Sequence, residues 1–425
     1  MTAPSPLRRA AVFAASLLLF AGLGALVYRF LPPREAATVE LADDREGFLA
    51  NYEARRAESE PEPVEPPEAT DPSLPEEKAP ETAAPSPAAA VETSDGRQDP
   101  PPLVREELSR AQVEQFYPAL RGNWVYRPDL WARRKPGLDN EVRFQEHPDG
   151  SYRLRTNAEG LRMNADILAE PPDLRVLVAG DSHAAGICNN EETFSAVLEE
   201  LLRERLPGRS VEVVNAALGT YNFYNYLQVL EYFLHLDPDV FVVVPYAGND
   251  FHASAQIARF FRRMEAPQLG PLQAEDLKGI KRGLVAQELS QVVYFANNPD
   301  DVALAEETAQ SITVELESLC RSNDIAFLGA LLPTGTFAQP DLFSFANEKL
   351  MRMIGLGMRD LRISVRLGKR WLAFLEQRDL PSMDLGPVLA TERPNYWRSD
   401  LHVNVAGHRR IAEALLPRVL ELIEE

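Results

Sequence analysis

Leu174-Arg175-Val176-Leu177-Val178-Ala179-Gly180-Asp181-Ser182-His183 is the stretch that decides how this chain folds. Its first six residues, mostly branched and apolar, read as a buried strand, and Gly-Asp-Ser-His then turns the chain toward a helix. A serine therefore stands at the carboxyl end of a core strand, where open α/β sheets bind their ligands. Working outward, Val240-Phe241-Val242-Val243-Val244 is a second such run and ends in Gly248-Asn249-Asp250. Further strands are expected over 211–215, 325–332 and 381–385. Helix-length amphipathic segments lie between them, over 192–206, 221–236, 302–322, 345–378 and 404–423. Leu206-Pro207-Gly208 and Leu236-Asp237-Pro238 stop two of these helices. The alternation predicts an α/β class domain: a parallel sheet covered on both faces, in three α/β/α layers.

Serine, asparagine and histidine follow one another at matching positions, with Asp400-Leu401-His402 just before the last helix. Ester cleavage needs a nucleophile, a base and donors for the developing oxyanion, and this set supplies all of them. The ordered blocks resemble the SGNH/GDSL hydrolase family over residues 104–425. The resemblance implies a flavodoxin-like domain with Ser182 as nucleophile and His402 as base, oriented by Asp400. It also implies an oxyanion hole from Ser182, Gly219 and Asn249. Two departures stand out. The family most often spaces acid and base as Asp-x-x-His, whereas this chain has Asp-x-His with Ser399 at the usual acid position. Gly219 also comes one residue sooner after Asn215 than in the family pattern.

Each residue has a plainer alternative. Ser182 could cap a helix, Asn249 could form an Asx turn and Gly219 could be an ordinary turn glycine. Asp181 is expected to fix its turn, and His183 to pack in the pocket wall. His408 is expected to be a surface or packing histidine, and Cys188 a small buried residue. His402 and His408 lack the i, i+4 spacing of two metal ligands on one helix, so neither a metal nor a cofactor is expected. Arg155-Thr156-Asn157-Ala158-Glu159-Gly160-Leu161-Arg162 is similar to an Asn-x-x-Gly-hydrophobic-Arg lead-in of membrane-anchored family members, and reads as support for the fold. Residues 251–301 read as an insertion, either a lid or a solvated excursion.

The amino-terminal part carries an address. Residues 10–28 form an apolar stretch long enough to cross a bilayer, after Arg8 and Arg9. The expectation is one transmembrane helix within residues 1–30, with a cytoplasmic tip and an exported body. A cleaved signal is the alternative, although Val27-Tyr28-Arg29-Phe30 is a poor cleavage site. Residues 31–103 are rich in Pro, Glu and Ala and read as a disordered tether, with a short amphipathic helix over 39–56. This tether holds 18 acidic and 6 basic residues, more than half of the chain's net charge of −20, which argues against nucleic-acid partners. The chain's two cysteines, Cys188 and Cys320, give no disulfide framework.

The resulting expectation is a serine esterase on the inner (cytoplasmic) membrane, acting outside it on an acylated glycan or lipid. An O-acyltransferase would use the same residues. A non-catalytic carbohydrate-binding module on the same fold is the remaining alternative.

Overall fold

The computed structural model describes residues 99–117, 122–267, 288–342, 351, 356–399 and 401–424. The apolar stretch 10–28, the tether through residue 98, its helix over 39–56, and Asp400 lie outside the described residues. Among the described residues, no helix is long and apolar enough to cross a membrane.

Helix α1 (Arg110–Phe116) leads into two antiparallel hairpins, β1 (Trp124–Arg127) with β2 (Trp131–Arg134), and β3 (Asp139–Arg143) with β4 (Ser151–Arg155). The core sheet follows: β5 (Leu174–Gly180), β6 (Val211–Asn215), β7 (Val240–Val244), β8 (Ala326–Leu331) and β9 (Ser382–Asp384). These five strands are parallel and ordered β6-β5-β7-β8-β9. The chain therefore reverses direction across the sheet at β5, which creates a crevice beyond its carboxyl end.

Every residue of β5, β6 and β7 is buried, which explains the unbroken apolar runs. Arg175 interrupts one run, but its register partner on β6 is Glu212. Their side chains meet at 2.6 Å, and Arg175 also donates to Leu236 O, so a buried charge is matched inside the sheet.

Among the described residues, nine helices are longer than one turn or stand at the site. After α1 come α2 (Ser182–Ala185), α3 (Phe194–Arg205), α4 (Phe223–Phe233) and α5 (Asp250–Phe261). Then follow α6 (Glu288–Asn297), α7 (Asp301–Ser322), α8 (Met358–Gln377) and α9 (Val405–Glu424). Helices α3 and α9 pack together on one side of the sheet; α4, α5, α7 and α8 pack on the other. The α8 layer sits close, because a side chain at Gly329 would meet Leu375 and Trp371 within 3 Å. Trp371 in turn donates from Nε1 to Thr313 Oγ1 on α7 at 3.0 Å.

Three expectations need correction. The segment 251–301 is not simply an insertion: α5 and α6 occupy its ends and bury Phe251, Ile257, Phe261, Leu289, Val292 and Phe295 in the core. Three of its basic residues are engaged by carboxylates: Arg259 pairs with Asp301, Arg262 with Glu307 and Arg263 with Glu106. The long helix expected over 345–378 is not continuous: Leu356 and Gly357 are non-helical, and α8 starts after them at Met358. The region before β5 also carries four strands that the sequence reading did not place. Residues near the start of the body are tied down as well: Asp99 pairs with Arg378, and Pro101 O accepts from Ser311 Oγ at 2.8 Å.

Candidate active site

Gly180-Asp181-Ser182 places its serine at N1 of the one-turn helix α2, with Asp181 at the N-cap. Asp181 Oδ1 accepts from the His183 N–H at 2.8 Å, which fixes the turn as expected. Ser182 is thus not the cap residue. Its Oγ instead lies 2.9 Å from His402 Nε2, although 220 residues separate the two in sequence. With Ser182 donating, Nε2 is the acceptor and the imidazole carries its proton on Nδ1. His402 reaches this position from the loop before α9, where Trp397 N donates to His402 O at 2.8 Å and Leu401 is held at φ 59°.

Gly219 and Asn249 complete the group. A Cβ on Gly219 would lie 3.5 Å from Ser182 Cβ, so this loop faces the nucleophile. Neither the Gly219 N–H nor the Ser182 N–H donates to the backbone among the described residues. Asn249 occupies the N-cap position of α5 but makes no capping hydrogen bond, which removes the Asx-type reading. Its Oδ1 is buried without a partner. Ser182, Gly219 and Asn249 are all part-exposed, whereas Asp181, His183, Leu218 and Asp250 beside them are buried.

The loop carrying Asn249 is held from behind. Gly248 is required there, because a Cβ would fall 2.4 Å from the Tyr246 ring. Asp250 Oδ2 accepts from Tyr226 Oη at 2.5 Å and from Tyr246 N at 2.7 Å. Gln291 on α6 donates to Ala247 O at 2.7 Å and to Ser364 Oγ at 2.8 Å, and it accepts from His252 N at 3.2 Å. Sequence reasoning missed Tyr226 and Gln291, which join the loop only through tertiary packing. Asp250 could have been found, since it follows Asn249 directly.

Electrostatics around the pair are dominated by burial. It pushes the Asp181 carboxyl up to about 6, against the attraction of His402 and the hydrogen bond from His183 N. Burial and the Asp181 charge push Asp250 well above the usual carboxylate range. His183 is not placed as a base for its neighbour: its ring stacks on Tyr246 at 3.9 Å and lies 4.5 Å from the His402 ring. His408 is a packing residue. Its Nδ1 accepts from Phe194 N at 3.2 Å, and burial lowers its pKa to about 3, so it stays neutral. Cys188 is buried, and burial raises its thiol to about 12, which leaves it no thiolate character.

The Asn157-to-Arg162 lead-in supports the nucleophile loop directly. Asn157 Oδ1 accepts from Glu159 N and Leu161 N at 3.0 and 2.9 Å. Gly160 has φ 74° and lies so close to Arg134 O that a Cβ would sit at 2.4 Å. This turn delivers Arg162, whose guanidinium donates to the carbonyls of Ala185, Gly186 and Cys188 and to Asn190 Oδ1. The segment just after Ser182 is thereby clamped from outside the sheet.

No family model matches the chain, and no curated protein matches it. Solved structures do resemble it. TesA is 16% identical, covering 58% of this chain and 99% of its own, with a TM-score of 0.35. The acetyl xylan esterase AlAXEase is 14% identical over 58% of this chain and 100% of its own, with a TM-score of 0.35. A lipase/acylhydrolase from Enterococcus faecalis is 13% identical over 58% and 96%, with a TM-score of 0.33. These scores carry no functional weight; the geometry around Ser182 does.

Proposed function

We propose that this chain is an SGNH-type serine esterase that forms an acyl-enzyme on Ser182. The observation that carries the reading is the 2.9 Å approach of His402 Nε2 to Ser182 Oγ. Two backbone N–H groups that donate to no backbone carbonyl among the described residues, and a non-capping asparagine, support it.

In this reading Ser182 Oγ attacks the ester carbonyl carbon while its proton passes to His402 Nε2. Negative charge then grows on the carbonyl oxygen, where the Ser182 and Gly219 N–H groups and the Asn249 amide would receive it. The C–O bond to the alcohol breaks, and the alcohol leaves with the proton from His402. Water attacks the acyl-enzyme by the same route in reverse, giving the free acid and restoring Ser182. Asp400, by resemblance, orients the imidazole.

The substrate is proposed to be an acylated glycan or lipid of the cell envelope. The support is the apolar stretch at residues 10–28 and the tether that follows, which together would hold the body at the outer face of the inner membrane. The test is turnover of 4-nitrophenyl acetate by the full chain in detergent. Activity lost in both Ser182→Ala and His402→Ala supports the mechanism, and activity retained in either variant refutes it.

A further inference from the structure

Trp124 and Arg134 are cross-strand partners at the open end of the β1–β2 hairpin. A Cβ on Gly219 would lie 3.9 Å from Trp124 Cη2 and 3.5 Å from Ser182 Cβ, so the indole edge borders the catalytic crevice. The Arg134 guanidinium lies over that indole, 5.3 Å from the ring centroid. One aromatic ring therefore separates this cation from the loop that faces the nucleophile.

Arg134 differs from most arginines of the body. Arg127, Arg153, Arg259 and Arg378 each pair with a carboxylate. Arg134 makes no ion pair among the described residues, and its half-buried side chain leaves Nε buried without a hydrogen-bond partner. The charged or polar groups that reach it are Arg162, which repels it, and the phenols of Tyr152 and Tyr221. Burial, helped by Arg162, lowers its pKa to about 10, so it remains a cation at neutral pH. Among the described residues this cation behind the Trp124 ring therefore has no carboxylate partner, in a chain with 64 acidic residues and 44 basic ones. Thr220, next to Gly219, is held at φ 80°, and its Oγ1 is buried without a partner among the described residues. Left-handed backbone at a non-glycine residue costs free energy and gathers at ligand sites.

We propose that the substrate carries an oxyanion, a carboxylate or phosphate, close to the ester, and that Arg134 on its Trp124 platform binds it. This rests on the esterase reading and deepens it by naming a substrate class. A planar guanidinium presents paired donors suited to such a group, and the surrounding low-polarity wall strengthens the contact. The anion would also supply the charge partner that Arg134 lacks among the described residues.

The experiment compares kcat/KM of the full chain on two pairs of esters that differ by one carboxylate. Mono-4-nitrophenyl succinate against 4-nitrophenyl 4-methylpentanoate places the charge on the acyl side. Acetylated glucuronic acid against acetylated glucose places it on the alcohol side. The parent should prefer the charged member of at least one pair by about 10- to 100-fold. Arg134→Gln should remove that preference, and Arg134→Lys should retain part of it. Equal rates within both pairs for the parent, or a preference that survives in Arg134→Gln, would overturn the proposal while leaving the esterase intact. Failure to hydrolyse any of the four esters would overturn the esterase reading on which it rests.

Discussion

Arg162→Leu is the substitution that most sharply separates a supported nucleophile loop from one that holds itself. Arg162 is 2% exposed, and its guanidinium meets the carbonyls of Ala185, Gly186 and Cys188 together with Asn190 Oδ1. Leucine fills part of the volume but donates nothing, so the three carbonyls lose this partner while Asn190 Oδ1 keeps the Arg155 N–H. Each buried acceptor left unsatisfied costs about 1–3 kcal/mol. Removing the guanidinium also relieves a desolvated charge, and burial does lower its pKa. At the lower figure for each of the three carbonyls, the net loss expected is about 3 kcal/mol. Urea denaturation followed by far-ultraviolet circular dichroism measures it. The rate of Ser182 modification by a fluorophosphonate, taken below the unfolding transition, reports whether the loop still presents its serine. A stability loss under about 1 kcal/mol with an unchanged labelling rate would refute the clamp.

Asn249→Ala should lower kcat about 10²- to 10³-fold on a simple ester while leaving thermal stability close to the parent's, since Asn249 makes no capping bond. Asp400→Asn should lower kcat by about 10⁴ if the carboxylate sets the His402 tautomer, as in the serine-protease triad; a rate within threefold of the parent would reduce the set to a Ser182–His402 dyad. Asp181 gives a pH signature. Burial raises its carboxyl from 3.8 to about 6, so the folded chain binds this proton more tightly than the unfolded chain does. Folded stability from this group is present below pH 4 and is lost as pH rises through 6. Asp181→Asn should therefore be stabilised relative to the parent at pH 8 and lose that advantage at pH 4, as urea titrations at the two pH values would show.

The sheet was legible because its strands are buried on both faces and so spell continuous apolar runs. Ser182, Asn249 and His402 were legible for a related reason: each sits where such a run ends or a helix begins. The four strands before β5 were not, because short half-exposed hairpins such as Asp139–Arg143 alternate polar residues with few apolar ones and leave little periodicity. The buried character of α5 and α6 was masked by the charged residues around them, which pair across the chain. Contacts such as Gln291 with Ala247, or Arg162 with the loop after Ser182, join residues distant in sequence, and no local pattern announces them. The Trp124–Arg134 platform belongs to the same class, since its hairpin reaches the crevice only in the folded chain.

The central claim is that Ser182 is an activated nucleophile, and peptide-mapped fluorophosphonate labelling tests it most directly. Ordinary serines do not attack the phosphorus, whereas one that donates its proton to a neutral imidazole does. The account predicts a single phosphonylated peptide carrying Ser182, absent in Ser182→Ala and strongly diminished in His402→Ala. Labelling at a different serine, or equal labelling of Ser182 with and without His402, would contradict it.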